Sequence, residues 1–164
     1  AVILADDLIE GSKTIGEMIK NYSSGNMLAI MEVDNKDVSS YGVIKPGKTL
    51  NKKNIEILDL IEKPSIKNAP SNLVVVGRYI IEPSIFKVLE TQRLGANNEI
   101  QLTDAIASRI GKSICTGYKF LGERFDCGSK LGFIQANIKY SFERDEFNKE
   151  LKEWLKNRIL KNDI

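Results

Sequence analysis

Ala1-Val2-Ile3-Leu4-Ala5-Asp6-Asp7 and Met27-Leu28-Ala29-Ile30-Met31-Glu32-Val33 are the two runs on which the reading of the fold turns. Neither alternates apolar with polar residues, the pattern of a strand buried on both faces of a parallel sheet. Between them Ile15, Met18, Ile19 and Tyr22 recur at helical spacing. Thr14-Ile15-Gly16-Glu17 has the spacing of a capping box, and Ser23-Ser24-Gly25-Asn26 closes the helix. Strand, helix, strand predicts a βαβ unit and a parallel sheet. The first run opens with no turn, cap or initiator methionine, so further sequence is expected upstream.

Working outward, Tyr41-Gly42-Val43-Ile44 predicts a strand that turns at Lys45-Pro46-Gly47-Lys48. Ile55 to Ile61 predicts another strand, ending at Glu62-Lys63-Pro64, and Val74 to Ile81 is the strongest strand signal in the chain. Pro83 suits the start of a helix with Ile85, Phe86 and Leu89 on its apolar stripe. Gly95-Ala96-Asn97-Asn98 reads as a turn. Thr103-Asp104 reads as a cap for a helix through Ile106 and Ile110 that stops at Gly111. A strand from Ile114 to Leu121 leads to Asp126, and Ser129 caps a helix with Leu131, Ile134 and Ile138 inward. Phe147, Leu151, Trp154, Leu155 and Ile159 then form the stripe of a last amphipathic helix, with lysines opposite.

Composition narrows the chemistry. The chain has 164 residues, 42% hydrophobic and 28% charged, which is ordinary for a folded domain. A net charge of +2 gives no global pull toward nucleic acid or an anionic membrane. No apolar run approaches the roughly 20 residues that span a bilayer. Two cysteines, Cys115 and Cys127, do not make a disulfide framework, and a cytoplasmic location is expected. There is no histidine, which removes serine–histidine hydrolysis and histidine-ligated zinc. Carboxylates, lysine, arginine, backbone groups or a hard metal remain.

Three acidic segments follow strands. Asp6-Asp7 stands where open α/β sheets bind ligands, and carboxylates there hold magnesium or else cap a helix. Glu62-Lys63 pairs an acceptor for sugar hydroxyls with a point charge for phosphate, or is a solvated turn. Asp126 is a third such acid, although sequence alone does not bring it to Asp6. Cys127, with no histidine to activate it, reads as a packing residue. No Gly-x-Gly-x-x-Gly or Walker loop is present.

Six segments in order carry a resemblance: Leu4-Ala5-Asp6-Asp7-Leu8-Ile9, Val38 to Ile44, Ile61-Glu62-Lys63-Pro64, Ala69 to Tyr79, Glu99 to Ala105, and Arg124 to Gly132. Together they are similar to the bacterial UTP–glucose-1-phosphate uridylyltransferases across nearly the whole chain. Ala-Asp-Asp and Asp-Cys-Gly distinguish them from the Gly-Asp-Asn and Asp-Thr-Gly usual in thymidylyltransferases. Ala5 departs from a proline frequent in the family, and Asn97-Asn98 from smaller residues.

The resemblance implies an N-terminally truncated Rossmann-like α/β nucleotidyltransferase fold with a mixed, mostly parallel sheet. It implies formation of UDP-glucose and pyrophosphate from UTP and glucose 1-phosphate, with magnesium. Asp6 and Asp126 resemble the metal-binding aspartates. Glu62 resembles the sugar-hydroxyl acceptor, and Lys63 the lysine that faces the sugar phosphate. Gly42 and Val75 resemble positions whose backbone borders the sugar. The family's glycine-rich nucleotide loop has no counterpart here, so the chain alone is expected to be inactive. Residues 1–144 are expected to form the sugar-phosphate and metal part of the catalytic domain, and residues 145–164 a helix for packing or homo-oligomerisation. A non-catalytic assembly fragment, and a pyrophosphorylase for another nucleotide or sugar, are the alternative readings.

Overall fold

The computed structural model describes residues 1–10, 13–94 and 98–161. They group into two compact units. The first comprises Ala1–Ala5 and Gly11–Gly122, the second Asp6–Glu10 and Glu123–Ile164.

The first unit is built on a six-stranded sheet of β1 (Val2–Ile3), β3 (Asn26–Glu32), β4 (Gly42–Thr49), β5 (Asn54–Glu62), β6 (Leu73–Ile80) and β7 (Cys115–Lys119). Their spatial order is β1-β6-β3-β7-β5-β4. β3 and β6 are interior strands, buried over Asn26–Ile30 and Leu73–Gly77, five consecutive residues each, which only a strand covered on both faces allows. Helices α2 (Ser84–Thr91) and α3 (Leu102–Ala107) contribute Ile85 and Ile106 to a core with Leu28, Ile30, Ile57 and Val75. Each such side chain contributes about 1.5–3 kcal/mol by leaving water. Val43 and Val74 are buried with Val38 of the 3-10 turn Asn35–Ser40.

The parallel expectation needs correction. Only β3 and β7 are parallel neighbours, while β1–β6, β6–β3, β7–β5 and β5–β4 are antiparallel. The strand–helix–strand reading survives in altered form. β1 and β3 do point the same way, but β6 lies between them, antiparallel to both. β1 is an edge strand of two residues, not a strand buried on both faces, and Ile3 and Leu4 are exposed.

Local expectations shift for identifiable reasons. In α1 (Thr14–Asn21) the N-cap is Lys13, without a side-chain bond, and Thr14 is buried. Lys13 thus takes the place expected of Thr14, and the Glu17 carboxylate binds Lys53 Nζ at 2.8 Å and the Tyr118 hydroxyl. Ile19 is exposed, and Met18 is the buried anchor of that helix. β4 continues through Pro46-Gly47, since two register shifts accommodate a proline that has no N–H to donate. Past Val43, which pairs with Val74 of β6, β4 pairs with β5 alone among the described residues, so the loss at Pro46 falls where the strand has a single neighbour. Phe86 of α2 is exposed, and Thr103 lies inside α3, whose N-cap is Gln101. Residues 95–97 of the expected Gly95–Asn98 turn lie outside the described residues, and Asn98 has φ +60°.

The second unit contains an antiparallel ribbon of β2 (Asp7–Ile9) with β8 (Arg124–Asp126), followed by α4 (Lys130–Ser141) and α5 (Asn148–Leu160). Ser129 caps α4 as expected, its Oγ accepting the Gly132 N–H at 3.0 Å. The expected inward face is wrong, however. Leu131, Ile134 and Ile138 are exposed, whereas Gly132 and Ala136 are buried. A Cβ on Gly132 would stand 2.1 Å from the Asp126 carbonyl oxygen, so the helix approaches β8 too closely for larger inward residues. Phe125 meets Tyr140 edge-on, with ring centroids 6.3 Å apart. No residue of α5 is buried.

Candidate functional site

In the first unit, antiparallel pairing sets Gly42 of β4 opposite Glu62 of β5. A Cβ on Gly42 would stand 3.1 Å from Glu62 Oε2 and 3.3 Å from Thr103 Cγ2. The missing side chain therefore leaves a recess with the Glu62 carboxylate and the Thr103 side chain on its walls. Glu62 is 12% exposed in its side chain and Lys63 45%. That difference suits a carboxylate at the wall of a recess and a cation at its mouth.

Lys63 has φ +44°, in the left-handed region that costs a non-glycine residue about 1 kcal/mol or more. Its N–H donates to the Tyr41 carbonyl at 3.0 Å, which holds the kink. Lys63 Nζ stands 3.9 Å from Glu62 Oε1, at the outer limit of an ion pair. Val75 follows Val74, which bridges to Val43 beside Gly42. The Val75 side chain belongs to the core. The sequence offered no sign of Thr103 at this recess, because a threonine before an aspartate already has a capping explanation.

In the second unit, the ribbon sets Asp7 opposite Asp126, and the Cys127 N–H donates to the Asp6 carbonyl at 2.7 Å. The two adjacent acids then part ways. Asp7 is buried and paired with Arg124 Nε, whereas Asp6 is exposed. A Cβ on Gly128 would lie 3.1 Å from Asp126 Oδ1 and 3.1 Å from Asp6 Oδ2. Two carboxylates more than a hundred residues apart thus flank a cradle kept open by a glycine.

Oxygen-only donors of this kind suit a hard cation. Among the described residues no group of three or more His, Cys, Asp or Glu side chains is arranged to hold a metal. Magnesium is nevertheless compatible with the pair, since it takes one or two carboxylates and completes its shell with water and substrate phosphate. Cys115 is buried, and burial pushes its thiol up to about 12. A thiol so rarely ionised is no nucleophile.

The nucleotidyl transferase family profile matches residues 1–143. A UTP–glucose-1-phosphate uridylyltransferase of Staphylococcus epidermidis is 40% identical over 95% of this chain and 55% of its own length. One from Pseudomonas aeruginosa is 42% identical over 83% of this chain and 50% of its own. Among solved structures, a UDP-glucose pyrophosphorylase complexed with UDP-glucose superposes with a TM-score of 0.79 at 42% identity, over 87% of this chain and 55% of that one. A UTP-bound enzyme from Acinetobacter baumannii gives a TM-score of 0.80 at 33% identity, over 93% of this chain and 54% of that one. The chain spans about half the length of the curated relatives it matches.

Proposed function

Because the chain belongs to the nucleotidyl transferase family, we propose that it provides the sugar-phosphate and metal groups of a UTP–glucose-1-phosphate uridylyltransferase. The observation that carries this reading is the Gly42 recess, with the Glu62 carboxylate on its wall and the Lys63 cation at its mouth. Its support on the nucleotide side is the similarity to relatives bearing that name.

In the proposed reaction a phosphate oxygen of glucose 1-phosphate attacks the α-phosphorus of UTP. A new P–O bond forms, the bond to the β-phosphate bridging oxygen breaks, and pyrophosphate leaves. The attacking phosphate is already ionised near neutral pH, so no general base is needed and the absence of histidine is no obstacle. Lys63 Nζ offsets the repulsion between the two anions and orients the sugar phosphate. Glu62 accepts hydrogen bonds from sugar hydroxyls, and the Gly42 and Val75 backbones border the ring. Asp6 and Asp126 are the residues to hold magnesium, which when bound neutralises phosphate charge.

Calorimetric titration of the chain with glucose 1-phosphate tests the recess. Lys63→Ala is expected to weaken binding by about tenfold or more, the worth of a charge-assisted hydrogen bond. Unchanged binding in that variant would overturn the role given to Lys63. The chain by itself is expected to make no UDP-glucose, since its sequence holds no glycine-rich phosphate loop. In a protein that joins it to such a loop, Asp126→Asn is expected to lower turnover by orders of magnitude. Assay of that protein with each nucleoside triphosphate and sugar phosphate checks the choice of UTP and glucose.

A homo-oligomer is part of the same proposal. Its support is α5, which buries no residue yet carries Trp154 and Ile159. Light scattering that returns the monomer mass at all concentrations would refute it. A cytoplasmic location is proposed likewise; no described helix is long and apolar enough to cross a membrane.

A further inference from the structure

Asp126 is engaged at both of its carboxylate oxygens. Oδ1 accepts the Gly128 N–H at 3.0 Å, and Oδ2 faces an Arg124 guanidinium nitrogen at 3.9 Å. The same guanidinium is closed on Asp7 through Nε, and the two side chains of that pair are 10% and 7% exposed. The register of the ribbon explains this grouping. Asp7 stands opposite Asp126, and Arg124 stands opposite Ile9. With a side-chain period of two, Asp7, Arg124 and Asp126 share one face. Carboxylates directly opposite each other on a ribbon repel. A planar guanidinium is the cation whose separate nitrogens can serve both at once.

We propose that Arg124 is a positioning residue for the metal-binding carboxylates. It occupies Asp7 and steadies the Oδ2 side of Asp126, leaving Oδ1 turned to the Gly128 cradle that Asp6 Oδ2 also borders. This rests on the reading of Asp6 and Asp126 as metal ligands. It also assigns the Asp6-Asp7 pair two separate tasks: Asp6 meets the cation, and Asp7 anchors the arginine that orients Asp126. Partners that orient a metal ligand without touching the metal typically change affinity by about 10–100-fold when removed.

Charge and orientation make opposite predictions here, which gives the test its sign. Removing a cation beside a metal site strengthens metal binding if charge alone matters. Removing a positioning group weakens it. The double variant Asp7→Asn with Arg124→Gln replaces the buried ion pair by a neutral pair of similar shape, with no change in net charge. Manganese binding to the full 164-residue chain is followed by electron paramagnetic resonance. Circular dichroism and thermal melting report the fold of each variant.

The wild type is expected to bind manganese, Asp126→Asn to lose it, and the double variant to bind about tenfold more weakly with its secondary structure intact. Equal or tighter binding by the double variant, with Asp126→Asn still defective, overturns the role of Arg124 alone. Equal binding by the wild type and Asp126→Asn overturns the metal reading, and the inference with it. Should the double variant fail to fold, Arg124→Lys decides. It keeps a cation for Asp7 but lacks a second nitrogen for Asp126, and undiminished manganese affinity in it overturns the proposal.

Discussion

Gly128→Ala separates the metal reading from a purely structural one. The added Cβ would meet Asp126 Oδ1 and Asp6 Oδ2, each at 3.1 Å. Both contacts are a few tenths of an ångström tighter than ordinary, and both atoms are movable ends of side chains. Gly128 is not among the residues with positive φ, so alanine adds no backbone strain. Loss of glycine's freedom in the unfolded chain returns about 0.4–1 kcal/mol, which offsets the contact strain. Net stability should therefore change by less than about 1 kcal/mol, or roughly 2–4 °C in melting temperature for a chain of this size. The metal site fares differently. Magnesium–oxygen distances are about 2.0–2.1 Å, and a methyl group between the two carboxylates takes up the room a shared cation needs. Manganese affinity should fall at least about tenfold while the melting curve barely moves. Gly132→Ala is the contrasting control. Its Cβ would lie 2.1 Å from the Asp126 carbonyl oxygen and 2.8 Å from Ser129 Oγ, and backbone cannot swing aside. It should cost about 1–3 kcal/mol or more through overpacking. Wild-type manganese affinity in Gly128→Ala would refute the shared-cradle argument. So would a loss of stability as large as that of Gly132→Ala, since the glycine would then be structural.

Asp7→Ala takes from the buried Arg124 guanidinium its close carboxylate and leaves Asp126 at 3.9 Å. It should destabilise the protein by about 3–5 kcal/mol in urea unfolding, the usual result of breaking one side of a buried pair. The hydrogen bond from Lys53, and then that from Tyr118, hold the Glu17 carboxyl below its ordinary 4.5. A depressed carboxyl contributes stability that is present above the unfolded value and lost as pH falls through the folded one. Wild-type stability should thus decline more steeply than that of Glu17→Gln as the pH drops below about 4.5; parallel acid titrations of the two would refute that coupling. Cys115 is buried, whereas Cys127 is partly exposed. A thiol reagent at pH 8 should label Cys127 first and reach Cys115 only on unfolding, as peptide mapping by mass spectrometry would show.

The sequence carried β3 and β6 because burial on both faces leaves unbroken apolar runs, and β5 because isoleucines and leucines recur between its acids. β3, β5 and β6 appear where Met27–Val33, Ile55–Ile61 and Val74–Ile81 placed them, within a residue or two at each end. Pairing direction was not legible in the same way. A buried strand has the same composition whether its neighbour is parallel or antiparallel, and nothing near β1 announced that β6 would come between it and β3. Capping motifs misled where a distant partner outbid the local one. Glu17 has the spacing to bond its own helix end, yet it binds Lys53 and Tyr118, residues with which it shares no local pattern.

The Asp126–Gly132 stretch shows why part of the candidate site was legible and part was not. Ser129 was readable as a cap, since capping is local and its partner is three residues away. The two glycines were visible only as glycines, because what each one excludes is elsewhere in the chain. At Gly128 it is the Asp6 side chain together with that of Asp126, and at Gly132 it is the strand backbone beneath α4. The same close approach explains the inverted face of α4. A helix pressed against β8 at Gly132 can bury only small residues nearby, so Ala136 goes inward, and Leu131 and Ile134 are left facing water. Apolar periodicity assumes that the largest apolar side chains mark the buried stripe. That holds when a helix packs at ordinary distance, and it fails where a backbone must come near enough to touch the strand end that carries Asp126. The departure from the periodic rule thus falls beside the residues assigned to the metal, where backbone placement constrains sequence more tightly than burial does.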